Sequence, residues 1–409
     1  IAAGILILAL TGCSRYEPAK EITRSQKEAA RPEEAEAQSG QETQEAEAVD
    51  SEVITISSYP PRNPVKVKGI YVSAYVAGTG DMMDKIIEEL DRTELNAVVI
   101  DVKDDQGRIT YAMDSPTVNE IGACHVFIRD MPALMAKLKE HGIYTIARVV
   151  AFRDPYLAEQ KPEWSLHVAD DKIYRDNKGL AWVNPYKKEV WDYLVEVGKK
   201  AGEVGFDEIQ FDYIRFAVDR TMNDVVFDDG DTQGRNKTQA ITEFISYAYD
   251  ELAKEGLFVS ADVFGAIMRS EEDAAAVGQE YEDMAEHLDY ICPMIYPSHY
   301  GPGNFGIEYP DTQPYDTILN ALNGSRELLA ASAKDDTPQA VVRPWLQDFT
   351  ASYLEHYIRY GHEQVRQQIQ AVYDAGYDQW ILWDAGVSYH YGGLLTPEEA
   401  AKEDERIAR

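Results

Sequence analysis

The stretch FDEIQFDYIRFA, residues 206–217, has the pattern of a buried β-strand that ends in charged residues. Large apolar side chains recur through it, yet it also carries Asp207, Glu208, Asp212 and Arg215. Burying a carboxylate without a partner is costly. An inward-facing Asp at the end of a strand therefore needs either structural pairing or a functional role.

Seven further stretches have the same β-branched and aromatic character, and amphipathic helical patterns lie between them. They are residues 67–78, 95–105, 143–154, 257–267, 288–300, 340–349 and 378–386. Several of the helical patterns end in glycine, which is typical of a helix C-cap. Eight strand–helix units in this length predict an α/β fold, the (β/α)8 TIM barrel. A doubly wound open sheet is the alternative.

The sequence begins with the apolar run IAAGILILALTGCS, residues 1–14, which contains no charged residue. Its residues Leu10 to Cys13 match the lipobox of bacterial lipoproteins, so we predict that residues 1–12 are the remnant of a signal peptide and that Cys13 is lipidated. The run is short for a membrane span. Acyl chains on Cys13 would hold the protein at a bacterial membrane surface outside the cytoplasm. An ordinary secretory signal is the alternative.

Residues 13–63 are rich in Glu, Ala, Gln, Lys and Ser and carry few large apolar side chains. Such a segment buries too little apolar surface to offset its ordering entropy, so we predict a flexible acidic linker. Residues 64–400 then form one barrel domain. The net charge of −33 disfavours a nucleic-acid partner, because phosphate binding needs a basic surface.

Cysteine and histidine spacing gives no sign of a metal site in the sequence. After Cys13 only Cys124 and Cys292 remain, and the eight histidines are scattered without a metal-type pair. Glycine-rich phosphate loops and serine-nucleophile motifs are equally missing. We therefore predict neither a metal nor a cofactor, and a metal-dependent deacetylase or phosphodiesterase is disfavoured.

The C-terminal ends of the predicted strands are where a barrel enzyme carries its active site. In this sequence nearly every predicted strand turns polar there. The candidate site residues are Asp101, Lys103, Asp104, Arg148, Asp212, Arg215, Asp262, Tyr296, His299, Trp345, Trp383 and Asp384. Carboxylates surrounded by aromatic side chains are typical of a sugar-binding cleft, so we predict a carbohydrate partner.

Strand alternation predicts which of these side chains point into the barrel. Asp101 shares a face with Lys103, and Asp212 and Asp262 lie inward by the same rule. Structural alternatives exist for each of them. Asp101 and Lys103 can form a buried ion pair, and an Asp at a strand end can cap a helix or pair with an arginine such as Arg215.

Hydrolysis of a glycosidic bond needs two carboxyl groups, one to protonate the leaving oxygen and one to attack or to activate water. Asp212 and Asp262 on adjacent strands supply such a pair, and neighbouring charges can separate the pKa values of two such groups. Trp345, Trp383 and Tyr296 would stack on sugar rings. For Trp383, a place in the hydrophobic core is the alternative.

Eight motifs follow one another along the predicted barrel. They are GIYVSAYVAG (69–78), NAVVIDVKDDQGRITY (96–111), YTIARVVAFRDPYLA (144–158), WVNPY (182–186), FDEIQFDYIRFA (206–217), SADVFG (260–265), ICPMIYPSHY (291–300) and WILWDAG (380–386). Together they resemble a bacterial family of predicted glycoside hydrolases, barrels distantly similar to α-amylases. The resemblance implies a nucleophilic aspartate at the end of the fourth strand, which falls on Asp212. It also implies an acid/base at the end of the fifth, where α-amylases have Glu and this chain has Asp262.

The sequence thus predicts a glycoside hydrolase that acts on a polysaccharide or oligosaccharide at the bacterial cell envelope. A lipoprotein that binds carbohydrate, or serves as a scaffold, without catalysis is the alternative. Release of reducing ends separates the two, because a binding protein retains affinity but cleaves nothing.

Overall fold

The computed structural model describes residues 59–407, in which eight parallel strands close into a barrel. The strands are β1 Lys68–Val72, β2 Ala97–Lys103, β3 Tyr144–Val150, β4 Glu208–Asp212, β5 Phe258–Phe264, β6 Tyr290–Met294, β7 in two segments, Val341–Val342 and Trp345–Gln347, and β8 Trp380–Trp383. Because β1 pairs with both β2 and β8, the eight-stranded barrel has no open edge. The predicted (β/α)8 barrel is confirmed, and the open sheet is wrong.

Helices connect the strands around the outside of the barrel. They are α1 Gly80–Arg92, α2 Met131–Glu140, α3 Lys188–Glu203, α4 Lys237–Ala253, α5 Glu271–Val277, α6 Tyr281–Ala285, α7 Pro314–Ser332, α8 His362–Asp374 and α9 Pro397–Ile407. Further short helices are Ala74–Ala77, Pro116–Ile121, Pro155–Gln160 and Asp229–Thr232. Within residues 59–407, no helix combines the length and apolarity needed to cross a membrane.

Local sequence signals explain where these helices begin and end. Helix α4 starts with a capping box, in which the Asn236 side chain accepts from the backbone of Gln239 and the Gln239 side chain accepts in return. Gly142, Gly205 and Gly376 follow α2, α3 and α8 with positive φ angles. Glycine adopts this conformation without steric cost, which is why it ends helices so often.

Three of the connections on the C-terminal side of the barrel carry extra strands that the sequence pattern did not predict. After β2, Ile109–Tyr111 pairs antiparallel with β2 and is followed by Cys124–Ile128. A separate three-stranded sheet is made of His167–Val168, Lys172–Ile173 and Val225–Val226. These additions enlarge the barrel wall beside β2, β3 and β4.

Hydrophobic side chains fill the space on both sides of the barrel wall. Alternate residues of β2 point to opposite sides of this wall. Val99 packs with Tyr144 and Tyr290 inside the barrel. Val98 and Ile100 pack in the larger cluster that includes the helices. The charged residues of the strands therefore have to be accommodated in a mainly apolar interior.

A fully buried ion pair, the floor pair Glu208 and Arg343, lies inside the barrel near the N-terminal ends of the strands. Arg343 Nη1 donates to both oxygens of Glu208 at 2.8 and 3.0 Å. The hydroxyls of Ser260 and Tyr144 donate to the same carboxylate at 2.5 and 3.1 Å. Arg343 Nε donates to the side-chain oxygen of Gln379 at 3.2 Å. Glu208 in the opening stretch therefore has a structural role.

The chain just before β1 packs against the N-terminal end of the barrel. Arg62 donates to both carboxylate oxygens of Asp289, at 2.6 and 2.8 Å, and its guanidinium carbon lies 4.6 Å from the ring centre of Phe258. Residues 59–63, assigned to the linker from composition, therefore contact the barrel. The predicted signal segment, Cys13 and the linker up to residue 58 lie outside the described residues.

Candidate active site

Four ionisable residues from the adjacent strands β2 to β5 meet at the C-terminal mouth of the barrel. Asp101, Arg148, Asp212 and Asp262 are called the charged arc below. Arg148 Nη1 donates to Asp101 Oδ1 at 2.7 Å, and its Nε and Nη2 donate to Asp212 Oδ2 at 3.0 and 2.5 Å. Only 2% of Arg148 is exposed, so its charge is largely shielded from water. One buried guanidinium thus joins three neighbouring strands.

Asp212 is held from both of its carboxylate oxygens. Oδ2 accepts from Arg148, and Oδ1 accepts from the backbone N–H of Tyr213 at 2.6 Å. Tyr213 has a φ of 50°, an uncommon backbone conformation for a residue other than glycine. Such strain concentrates at functional sites. The sharp turn immediately after β4 fixes the Asp212 carboxylate at the mouth, where 8% of the residue remains exposed.

Asp262 differs from Asp212 in both burial and charge. Only 2% of it is exposed, and Trp345 Nε1 donates to its Oδ1 at 2.6 Å. Burial raises the pKa of Asp262 well above its usual value, and the negative charge of Asp212 raises it further. A carboxyl group in this environment keeps its proton to higher pH and can act as an acid.

Asp101 has an intermediate character. Its Oδ2 accepts from the Tyr71 hydroxyl at 2.5 Å, in addition to the bond from Arg148 at Oδ1. Burial raises the pKa of Asp101 to about 6, although the positive charge of Arg148 opposes that shift. The charged arc therefore contains one carboxylate in a close ion pair, one carboxyl that titrates near pH 6 and one that favours its neutral form.

Aromatic side chains from β7, β8 and β1 form the other side of the mouth. Tyr71, Trp345 and Trp383 are called the aromatic arc. The ring centres of Tyr71 and Trp383 are 4.4 Å apart, and those of Trp345 and Trp383 are 5.6 Å apart at an interplanar angle of 85°. Arg148 connects the two arcs, since its guanidinium carbon lies 5.8 Å from the ring centre of Trp383. Charged and aromatic surfaces thus face one another across one mouth.

Lys103 lies outside this arrangement. The pairing of β2 with β3 shifts register between Asp101 and Lys103, as at a β-bulge, and a bulge reorients the side chains that follow it. Lys103 Nζ contacts Asp154 at 2.7 Å and lies 6.0 Å from the ring centre of Tyr193 on α3. The prediction that Lys103 shares the inward face of Asp101 is therefore wrong. The alternative pairing of these two residues is wrong as well, because Asp101 pairs with Arg148.

Two predicted site carboxylates hold turns beside the mouth. Asp104 Oδ1 accepts from the backbone N–H groups of Gln106 and Arg108, both at 2.9 Å. Asp384 accepts from the backbone N–H of Ser388 at 2.8 Å. Burial raises the pKa of both groups. These bonds give each carboxylate a structural role, as an Asp at the start of a turn commonly has.

Arg215 packs among aromatic rings. Its guanidinium carbon lies 5.1 Å from the ring centre of Tyr213 and 4.4 Å from that of Phe264. It also donates to the backbone oxygen of Phe216 at 2.9 Å. Arg148 is the arginine that forms the ion pair with Asp212, a role that the sequence suggested for Arg215.

Tyr296 and His299 follow β6 and lie next to one another. Their ring centres are 5.0 Å apart, and Phe349, which follows β7, lies 6.0 Å from Tyr296. Burial lowers the pKa of His299 to about 4. His299 is therefore neutral near pH 7 and available there as a hydrogen-bonding group without charge.

Two further residues of the mouth were not predicted from the sequence. Asp105, next to Asp104, contacts Arg148 at 3.3 Å and also pairs with Arg153. Although burial acts to raise it, the two arginines hold the pKa of Asp105 below its usual value. The second residue is Tyr71, whose alternation on β1 is a signal that could have placed it inward. Within residues 59–407, no cluster of three or more His, Cys, Asp or Glu side chains has the arrangement of a metal site.

The closed barrel, with acidic and aromatic side chains gathered at its C-terminal mouth, belongs to the class of (β/α)8 barrels that carry a site at their strand ends. Residues 69–389 match the model of the family described as "Putative glycosyl hydrolase domain". The chain belongs to this family.

Three solved structures illustrate what this chain is similar to. A hypothetical protein from Ruminiclostridium thermocellum ATCC 27405 is 38% identical over 47% of this chain and 97% of its own, with a TM-score of 0.44. The PgaB (BpsB) glycoside hydrolase domain from Bordetella bronchiseptica is 11% identical over 78% of this chain and 94% of its own, with a TM-score of 0.54. Alpha-L-fucosidase isoenzyme 2 from Paenibacillus thiaminolyticus is 14% identical, covers 84% and 49%, and has a TM-score of 0.50. The latter two share the fold. None of the curated proteins compared with this chain matches it.

Proposed function

We propose that the protein is a glycoside hydrolase in which Asp212 is the nucleophile and Asp262 is the general acid. One observation carries this proposal. Two carboxyl groups on adjacent strands have opposite environments, because Asp212 is paired with Arg148 whereas burial and the charge of Asp212 raise the pKa of Asp262. Glycosidases need such a difference between their two carboxyl groups. The family match supports the same reaction class.

The reaction proceeds in two steps. Asp262 transfers its proton to the glycosidic oxygen while Asp212 attacks the anomeric carbon, so the bond to the leaving sugar breaks as a glycosyl ester forms. Asp262, now a carboxylate, then takes a proton from the water that hydrolyses the ester and releases Asp212. Arg148 is a positioning residue here, because its bonds to Asp101 and Asp212 keep the nucleophile in one orientation.

The aromatic arc supports a carbohydrate as the substrate. The C–H groups on one face of a pyranose form an apolar surface, which packs well on an aromatic ring. Trp383 is half-buried, so part of its ring is accessible at the mouth, whereas Trp345 is buried behind it and holds Asp262. Trp383 therefore binds the sugar, and Trp345 positions the acid.

The test compares purified full-length protein with two variants. Each variant removes one negative charge, either at the C-terminal end of β4 or just before its N-terminal end. Asp212→Asn removes the charge at the mouth. Asp207→Asn removes one at the opposite end, where Asp207 accepts from the backbone N–H of Thr145. Reducing ends released from hydroxyethyl cellulose, glycol chitosan and laminarin are measured. Wild type and Asp207→Asn should cleave at least one polymer, and Asp212→Asn should not. Equal cleavage by all three proteins would contradict the proposal.

A non-catalytic carbohydrate-binding protein is the second candidate, and the burial of Asp262 favours it. At 2% exposure behind Trp345, Asp262 is less accessible than Asp212 at 8%. A silent barrel would retain the aromatic arc and release no reducing ends. Binding of wild-type protein to a polymer that it does not cleave would therefore support this candidate.

We also propose that the protein acts at the bacterial cell envelope, anchored outside the cytoplasm by acyl chains on Cys13. The support is the Leu-Thr-Gly-Cys sequence alone, since Cys13 lies outside the described residues. Replacement of Cys13 with Ser should move the protein from the membrane fraction to the soluble fraction. An unchanged distribution would contradict the lipid anchor.

A further inference from the structure

The tyrosines that are most exposed among the described residues all lie at the C-terminal end of the barrel. The exposed fractions are 62% for Tyr75, 50% for Tyr353 and 43% for Tyr357. Tyr75 comes three residues after β1, and the other two lie in the connection between β7 and α8. Large aromatic side chains that are solvent-exposed and grouped at one end of a protein indicate a binding surface.

Tyr75 stands on a short, packed support. It belongs to the helix Ala74–Ala77, whose other three residues are buried. The hydroxyl of Ser73 caps this helix by accepting from the backbone N–H of Val76 at 3.4 Å. Because its neighbours in the helix pack inward, the ring of Tyr75 is presented to solvent by a backbone that has little freedom to move.

The connection that carries Tyr353 and Tyr357 is also tied down. Asp311, itself buried, accepts from the backbone N–H of Ile358 at 3.3 Å and from Gln347 Nε2 of β7 at 3.0 Å. The buried Tyr360 donates from its hydroxyl to the backbone oxygen of Asp311 at 3.2 Å. These bonds fix the connection to β7 while its two tyrosines remain exposed. A loop ordered before binding loses less entropy when it binds a ligand.

These tyrosines lie on two of the chain segments that follow the strands of the aromatic arc. Tyr75 follows Tyr71 on the same segment of chain after β1, and Tyr353 follows Trp345 after β7. The strands β7, β8 and β1 are neighbours in the barrel. Exposed tyrosines therefore follow both β1 and β7 at the C-terminal end of the barrel, and the helix that carries Tyr75 packs against the strand Cys124–Ile128 beside β2.

We propose that Tyr75, Tyr353 and Tyr357 are outer binding sites for a pyranose polymer that carries no anionic groups. This inference rests on the proposed function, because it takes the mouth to be the place where the polymer is cleaved. The ring of a tyrosine offers a large, rigid contact surface at a low entropic cost. The net charge of −33 repels polyanions, which restricts the substrate to neutral or amino-bearing sugars.

Affinity electrophoresis of the full chain tests this proposal without requiring hydrolysis. All proteins carry Asp212→Asn, and the gels contain hydroxyethyl cellulose, glycol chitosan or polygalacturonate. The parent protein should be retarded by at least one of the first two polymers and not by polygalacturonate. The triple change of Tyr75, Tyr353 and Tyr357 to Ala should weaken the association at least about tenfold, which corresponds to about 1.4 kcal/mol. The triple change to Phe should preserve binding, because the stacking ring remains.

Val341→Ala is the matched control. Val341 is also exposed, at 44%, but it lies at the start of β7, at the opposite end of the barrel. Unchanged binding by the triple Ala variant, preference for polygalacturonate, or no retardation by either of the other polymers would overturn the proposal. Tyrosine-dependent binding without release of reducing ends by wild type would instead contradict the hydrolase alone.

Discussion

Two arginine–carboxylate groups lie in the same barrel, and they differ in the balance of their charges. In the floor pair, Arg343 faces one carboxylate, Glu208, whose oxygens also accept hydrogen bonds from two hydroxyl groups. At the mouth, Arg148 is shared by three carboxylates, and Asp262 lies beside them with a raised pKa. A buried ion pair alone therefore does not identify an active site. An excess of carboxyl groups over cations is the better indication, because it separates their pKa values.

The largest expected effect comes from removing charge at the mouth. Asp212→Asn keeps the shape of the side chain and some of its hydrogen-bonding capacity but cannot form the glycosyl ester. Turnover on a cleaved polymer should fall at least about a thousand-fold, roughly 4 kcal/mol of transition-state stabilisation. The melting temperature should change little, because Arg148 retains Asp101 and Asp105 as partners. Near-normal turnover would exclude Asp212 as the nucleophile and leave Asp262, Asp104 and Asp384 as candidates.

The second prediction concerns the floor pair. Glu208→Gln leaves Arg343 charged and buried without an anionic partner, so the free energy of unfolding should fall by about 3 kcal/mol. Turnover per folded molecule should fall far less than with Asp212→Asn. Within residues 59–407 no hydrogen bond joins the floor pair to the charged arc, and Glu208 raises the pKa of Asp262 less than burial and Asp212 do. Urea denaturation and active-site-normalised rates measure the two effects. If Glu208→Gln lowered turnover as strongly as Asp212→Asn while stability was unchanged, the floor pair would not be merely structural. The distinction between a structural floor and a catalytic mouth would then be wrong.

The third prediction concerns how stability depends on pH through Asp101, one of the three carboxylates that share Arg148. Because burial raises the pKa of Asp101 from 3.8 to about 6, the folded protein binds a proton that the unfolded chain has already released between these values. The contribution of Asp101 to stability should therefore decline as pH rises from about 4 to about 6 and then level off. Asp101→Asn should remove a decline on the order of 2 kcal/mol.

Unfolding free energies of wild type and Asp101→Asn, measured across this pH range, provide the test. Their difference isolates Asp101, because Asp348, whose pKa burial also raises to about 6, is present in both proteins. A difference that stays constant with pH would show that Asp101 is ionised throughout. Asp101 and Arg148 would then form a permanent ion pair, as Glu208 and Arg343 do in the floor pair.

The barrel could be predicted from sequence because its signals are local. Alternating apolar residues define strands, amphipathic spacing defines helices, and the glycines after α2, α3 and α8 adopt the positive φ that ends a helix. Strand order then follows from the tendency of successive β–α units to lie side by side. The polar strand ends were predicted for the same reason, since they depend only on where each strand stops.

The contacts within the mouth could not be predicted, because they join residues distant in sequence. Asp212 pairs with Arg148, 64 residues away, although Arg215 is only three positions along. Alternation also assumes a regular strand, and the register shift after Asp101 breaks that assumption for Lys103. Which of two adjacent carboxylates, Asp104 or Asp105, reaches Arg148 depends on the turn that Asp104 closes.

The smallest expected effect lies in the aromatic arc and asks whether the mouth binds sugar by stacking. Trp383 is half-buried and contacts Tyr71 and Trp345, so it has some structural role as well as an accessible face. Trp383→Ala should raise KM for a cleaved polymer about tenfold, or roughly 1.4 kcal/mol, with a smaller change in kcat. Trp383→Phe should retain most of the affinity, because a flat ring remains at the same position. A purely structural role predicts the opposite pattern: both variants would lower the melting temperature, and KM per folded molecule would stay at the wild-type value. That result would leave the charged arc as the only part of the mouth that contacts substrate.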